Sequence, residues 1–173
     1  MLELILGGAR SGKSRLAEQI ATDTQLPVLY IATAQALDPE MQHRIQHHQH
    51  SRPSHWQTQE QPLYLADTLR EYDRAGQVIL VDCLTLWMSN LLLQEDLSLQ
   101  QRECQKLLDV LPTLNSHIIL VSNETGLGVV PMGQLTRQFV DESGRLHQNI
   151  GKIADRVQFC VAGFAMLLKG EKA

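Results

Sequence analysis

Leu2-Glu3-Leu4-Ile5-Leu6-Gly7-Gly8-Ala9-Arg10-Ser11-Gly12-Lys13-Ser14 is the stretch that decides how the rest of the chain is read. A short apolar run ends in two glycines, and Gly7 to Ser14 fits the pattern G-x-x-x-x-G-K-S/T. Just beyond it, Leu16, Ala17, Ile20 and Ala21 share one helical face, so the motif sits between a strand and a helix. That context gives each residue a task. Glycines let successive backbone N–H groups turn inward around phosphate oxygens, and the helix N-terminus adds its dipole. Lys13 would neutralise the β- and γ-phosphates of a nucleoside triphosphate, and Ser14 would ligate Mg²⁺. The competing reading is an accidental glycine-rich turn; the flanking strand and helix weigh against it.

Working outward, the same alternation recurs. Pro27 to Ala32, Gln77 to Asp82 and His117 to Ser122 read as further buried strands, and His55 to Thr58 as a short one. Asp38-Pro39-Glu40 opens a helix, with Asp as cap and Pro at the first helical position. Helices are expected over Pro62 to Tyr72 and through Trp87 and Leu91. Another runs over Leu99 to Leu111, with Ser98 to Gln101 matching a capping box. Leu135, Phe139, Leu146, Ile150 and Ile153 keep helical spacing, with a break expected near Ser143-Gly144. Arg156 to Val161, a turn at Gly163 and Phe164 to Leu168 read as an edge hairpin. Continuously apolar strands separated by helices imply a mostly parallel sheet covered on both faces. The expected fold is α/β: a P-loop NTPase-like three-layer arrangement with a C-terminal edge hairpin, residues 1–173 forming one domain.

Composition narrows the partners. A net charge of −4 gives no global attraction to nucleic acid or to an anionic membrane. The opening residues reach glycine too soon for a signal peptide, and Val157 to Leu168 is too short to span a bilayer. Cys83, Cys104 and Cys160 lie in apolar stretches and read as buried, reduced thiols. A cytoplasmic protein is expected.

Asp82 closes the third clear strand, where a Walker-B acid would hold Mg²⁺; its alternative role is to cap the next helix. Either role sets it at the C-terminal edge of the sheet, where ligands of such folds bind. Five histidines crowd residues 43 to 55, and His43, His47 and His50 share a helical face off the apolar stripe of Met41, Ile45 and His48. Three readings stand side by side: a polar face without a task, a metal site that no Cys or helical Glu completes, and a nucleophile acting on phosphorus. Spacing alone does not choose among them.

Five segments together carry a resemblance: GGARSGKS (7–14), LYIATAQALDPEM (29–41), RIQHHQHSRPSHWQTQE (44–60), LVDCLTLWMSNLL (80–92) and VSNETGLGVVP (121–131). They resemble the bifunctional adenosylcobinamide kinase / adenosylcobinamide-phosphate guanylyltransferase family of cobalamin biosynthesis, from Leu2 to about Leu168. The resemblance implies two steps. ATP or GTP phosphorylates the hydroxyl of adenosylcobinamide; GTP then gives GMP to an enzyme histidine, and the phosphorylated substrate takes it up. It implies that His47 is the guanylylated residue. It also implies that Ala32, Thr33, Ala34, His48, Gln49, His50, Ser51, Glu60 and Asp82 join Gly7, Gly8, Ala9, Arg10, Ser11, Gly12, Lys13 and Ser14 around the nucleotide. Ser14 and Asp82 would serve Mg²⁺. A homotrimer with sites at subunit interfaces is implied as well.

The loop Asn123-Glu124-Thr125-Gly126-Leu127-Gly128 follows the fourth clear strand, where Asn123 or Glu124 could orient a hydroxyl or Mg²⁺. A plain connecting loop is the other reading. Arg137 and Arg145 read as solvated helix charges more readily than as phosphate ligands for a neighbouring subunit. Two other classes compete: a simple P-loop metabolite kinase with His47 as a phosphate ligand, and a nucleotide-dependent switch. The N-K-x-D motif of guanine-specific switches is missing, Asn123-Glu124 being the nearest fragment.

Overall fold

The computed structural model describes residues 1–35, 53–96 and 98–171. The helix expected from Asp38 and the histidines at 43, 47, 48 and 50 lie outside these residues. In chain order the elements are β1 (Leu2–Gly7), α1 (Lys13–Asp23), β2 (Val28–Ala32), β3 (Gln57–Glu60), α2 (Leu65–Tyr72), β4 (Val78–Asp82) and α3 (Leu84–Leu92). There follow α4 (Leu99–Val110) with a 3₁₀ turn at Leu111–Thr113, β5 (His117–Asn123), α5 (Gln134–Ile153), β6 (Arg156–Val161) and β7 (Phe164–Lys169).

The strands form one sheet in the order β3-β2-β4-β5-β1-β6-β7. Every pairing is parallel except β6 with β7, the C-terminal edge hairpin. Strand alternation sends successive side chains to opposite faces, and both faces are covered, which is why the central strands read as unbroken apolar runs. Leu4, Ile31, Ile79 and Leu120 pack beneath α2 to α5. Ile5, Tyr30, Leu80 and Val121 pack beneath α1 through Ala17 and Ala21, with Trp56 filling the same layer.

Several expectations needed correction. α5 runs without interruption through Ser143-Gly144, and Ser143 is buried. The burial of Leu146, His147 and Ile150 holds the helix together across one glycine, whose intrinsic cost is only about 1 kcal/mol. The ends of its expected stripe, Leu135 and Ile153, are exposed. Ser98 does not cap α4. Its backbone is already helical, and its hydroxyl donates to Asp96 Oδ1 at 2.7 Å, while Asp96 also accepts from the Ser98 N–H and from Arg102. β3 begins two residues later than expected, because Pro53 to Trp56 form a turn that buries the Trp56 side chain. Cys83 and Cys160 are buried and Cys104 is half-buried; all three are free thiols.

Candidate active site

The loop from Gly7 to Gly12 crosses the C-terminal end of β1 and leads into α1. Two of its glycines are required by geometry. A Cβ on Gly7 would fall 2.5 Å from Ser11 Oγ and 2.7 Å from the Cys160 carbonyl oxygen. Gly12 sits at φ +96°, and a Cβ there would meet Gly163 Cα at 3.2 Å. Gly12 also occupies the N-cap position of α1, so no side chain closes the helix N-terminus and its first N–H groups stay available to an anion. Lys13 Nζ donates to the Gly8 carbonyl at 3.2 Å, laying the ammonium back over the loop.

A cleft of ≈ 580 Å³ opens over residues 10–15, and its far wall is the β6–β7 turn at Ala162-Gly163. That turn is fastened to the loop by a Gly163 N–H to Ser11 carbonyl bond of 2.9 Å. Sequence reading assigned nothing to Arg15, Ala162 or Gly163 here. The glycine at the hairpin turn was the one visible signal, since it allows the close approach to Gly12.

Asp82 ends β4 in register with Ala32 of β2 and Val121 of β5. Tyr30 OH donates to its Oδ2 at 3.0 Å, a partner that sequence spacing did not reveal. The adjoining Cys83 thiol is pushed up to about 11 by burial and by its proximity to Asp82, so it stays protonated. Thr33 is fully buried. Its hydroxyl donates to the Cys83 carbonyl at 2.7 Å and accepts from the Cys83 N–H at 2.9 Å, while Asn90 Nδ2 donates to the Thr33 carbonyl. Its side chain thus braces the ends of β2 and β4. Ala32 and Ala34 flank it half-buried, and Glu60 is exposed at the end of edge strand β3. Gly7, Gly8, Ala9, Arg10, Ser11, Gly12, Lys13 and Ser14 are brought together; His47, His48, Gln49, His50 and Ser51 lie outside the described residues.

The donor set suits Mg²⁺ bound through phosphates. Among the described residues no group of three or more His, Cys, Asp or Glu converges. Mg²⁺ on a nucleotide takes its ligands mainly from phosphates and water, with one or two protein oxygens such as Ser14 Oγ and the Asp82 carboxylate. Arg137 bonds the Pro131 and Met132 carbonyls and Arg145 pairs with Glu142, both on the solvated face of α5. Among the described residues no helix is long and apolar enough to cross a membrane.

A parallel sheet carrying a glycine loop, a lysine at a helix start and an acid at a nearby strand end defines a P-loop nucleotide-using protein. Solved structures agree on the fold. The RadB recombinase superposes with a TM-score of 0.54 at 15% identity, over 98% of this chain and 81% of that one. A KaiC-like protein of Pyrococcus horikoshii superposes with a TM-score of 0.52 at 11% identity, over 98% and 79%. The family is fixed by sequence. The profile of the CobU family, cobinamide kinase / cobinamide phosphate guanyltransferase, matches residues 3–168, and the chain belongs to that family. The bifunctional adenosylcobalamin biosynthesis protein CobP of Pseudomonas aeruginosa is 59% identical over 99% of both chains. Its counterpart CobU of Salmonella typhimurium is 42% identical over 98% of this chain and 100% of that one.

Proposed function

We propose that this chain phosphorylates the hydroxyl of adenosylcobinamide with ATP or GTP, then moves GMP from GTP through His47 to give adenosyl-GDP-cobinamide. Family membership over residues 3–168 supports the pair of activities. The single structural observation that carries the reading is the phosphate loop, whose Gly7 and Gly12 admit no side chain and whose Lys13 lies over it.

Both steps are displacements at phosphorus, so catalysis is positioning and charge neutralisation. In the first, the acceptor hydroxyl attacks the γ-phosphorus and the bond to the β-phosphate oxygen breaks. In the second, an imidazole nitrogen of His47 attacks the α-phosphorus and pyrophosphate leaves. The phosphate oxygen of the acceptor then displaces His47 as the P–N bond breaks. Lys13 and the loop N–H groups hold the β- and γ-oxygens in both steps, since those oxygens leave as pyrophosphate in the second. Mg²⁺, held by Ser14 and Asp82, would supply further positive charge to the same oxygens.

The protein is read as cytoplasmic and as a homotrimer. Exposed apolar side chains support an assembly: Val129 and Met132 in the β5–α5 loop are each 95% exposed, and Phe164 on the edge hairpin is 77% exposed. The test of function is a two-stage assay with adenosylcobinamide, ATP and then GTP, products followed by mass. His47→Ala should still make adenosylcobinamide phosphate and stop there. Loss of both products, or of neither, would refute the assignment of His47.

A further inference from the structure

Asn123 closes β5, between the strand that carries the phosphate loop and the strand that carries Asp82. It is in register with Gly7. Asp82 pairs with Val121, two residues before Asn123, so alternation sends the Asn123 side chain to the face that Asp82 and the loop share. There its Oδ1 is buried with no hydrogen-bond partner among the described residues, as is Ser11 Oγ. Among the described residues nothing bonds this oxygen, and an unpaired buried polar atom is unfavourable unless a ligand completes it.

Behind it, on the opposite face, the same strand end is held by a chain of hydrogen bonds. The Asn123 N–H donates to Thr85 Oγ1 at 2.6 Å. Thr85 Oγ1 lies 3.2 Å from Ser122 Oγ, which lies 2.8 Å from His147 Nε2 of α5. The next residue fastens the other side, the Glu124 N–H donating to the Gly7 carbonyl at 3.0 Å. Thr85 stands three residues after Asp82, so the chain ties three elements to one point: the β4–α3 junction, the end of β5 and the middle of α5. Burial lowers the His147 pKa and favours the neutral imidazole.

We propose that Asn123 is a further residue of the phosphate-transfer site, its amide bridging the Lys13 ammonium and the terminal phosphate of the nucleotide. Thr85, Ser122 and His147 are the positioning residues that fix it from behind. The chemistry fits. Lys13 bonds only the Gly8 carbonyl among the described residues, and an ammonium that turns to phosphate keeps a spare N–H for an acceptor such as Oδ1. The amide NH₂ supplies the neutral donor that a phosphate oxygen takes up as charge develops.

The inference rests on the reading of this loop as a triphosphate site, and its test is separable from the rest of that reading. Inorganic tripolyphosphate binding by calorimetry is measured beside steady-state phosphorylation of adenosylcobinamide by ATP. Asn123→Ala should lower kcat about 10- to 100-fold, with the KM for ATP and the tripolyphosphate Kd within about 3-fold of the parent. Asn123→Asp places a carboxylate where the amide oxygen is buried, so its folding is checked by urea titration; the folded variant should weaken tripolyphosphate about 10-fold or more, because a carboxylate then faces phosphate. His147→Phe should lower kcat about 3- to 10-fold at constant KM, with His147→Gln restoring it through its own amide. Unchanged kcat in Asn123→Ala, or parental tripolyphosphate affinity in Asn123→Asp, would overturn the proposal. If the parent shows no turnover of cobinamide, the tripolyphosphate arm still decides this point.

Discussion

At the N-terminal ends of the strands, polar groups find partners within the protein. Glu3 is 1% exposed and meets His117 Nε2 at 2.8 Å and Arg156 at 3.3 Å. Asp73 accepts from the N–H groups of Asn115 and Ser116 and from both their side chains. Asp155 Oδ2 accepts the Leu2 N–H at 2.7 Å. Among the described residues, Arg156 Nε is the one buried atom of this group without a partner. At the C-terminal ends of the same strands, among the described residues, Ser11 Oγ and Asn123 Oδ1 are buried without partners, α1 has no side-chain cap, and Lys13 bonds only a loop carbonyl. One edge has spent nearly all of its hydrogen-bonding capacity within the protein; the other leaves part of it open, at the edge where open α/β sheets bind ligands.

Substitutions should therefore separate activity from stability according to the edge they touch. The largest effect is expected at Lys13. Lys13→Ala should lower both transfer reactions about 10²- to 10³-fold, with an unfolding free energy within about 0.5 kcal/mol of the parent by urea titration. At the opposite edge Glu3→Ala leaves the half-buried Arg156 without its carboxylate; it should cost about 3–5 kcal/mol of stability while the folded fraction keeps the parental kcat. A large loss of kcat in that variant would break the division between the edges.

Asp73→Ala removes the acceptor from four donors and should cost about 1–3 kcal/mol, again without changing kcat. Burial works to raise the Asp73 pKa, but the hydrogen bonds from Asn115 and Ser116 together hold it below its ordinary 3.8. Its contribution is therefore complete above that pH and fades as pH falls below it. The smallest effect belongs to His147. The folded chain resists protonating this buried imidazole, so the unfolded chain takes up the proton first as pH falls through 6.5. Stability should hold above that pH and decline below it by no more than about 1.4 kcal/mol per unit, a slope that His147→Gln should flatten.

What the sequence disclosed were features with a local signature. Gly7 to Ser14 and the apolar runs ending at Ala32 and Asp82 each announce themselves within a few residues, and together they determine the sheet and its loaded edge. What it concealed depends on residues far apart in the chain. Nothing near Thr33 says that Cys83 takes both hydrogen bonds of its hydroxyl, and nothing near Ser122 points to His147. The break expected at Ser143-Gly144 failed for the same reason, because the burial of Ser143, Leu146, His147 and Ile150 in the middle and C-terminal part of α5 outweighs two weak helix formers. Ser98 matched a capping pattern, yet Asp96 just upstream accepts both its N–H and its hydroxyl, so the hydroxyl donates upstream instead of accepting from the helix N-terminus.

Guanylyl transfer through His47 is the reaction proposed for the loaded edge. The direct measurement is incubation with Mg²⁺ and α-³²P-labelled GTP, followed by a denaturing gel and mild acid, with the parent and His47→Ala run together. The expected result is a protein-bound label that acid removes and that His47→Ala lacks. A parent that stays unlabelled, or a label that survives in His47→Ala, would contradict it.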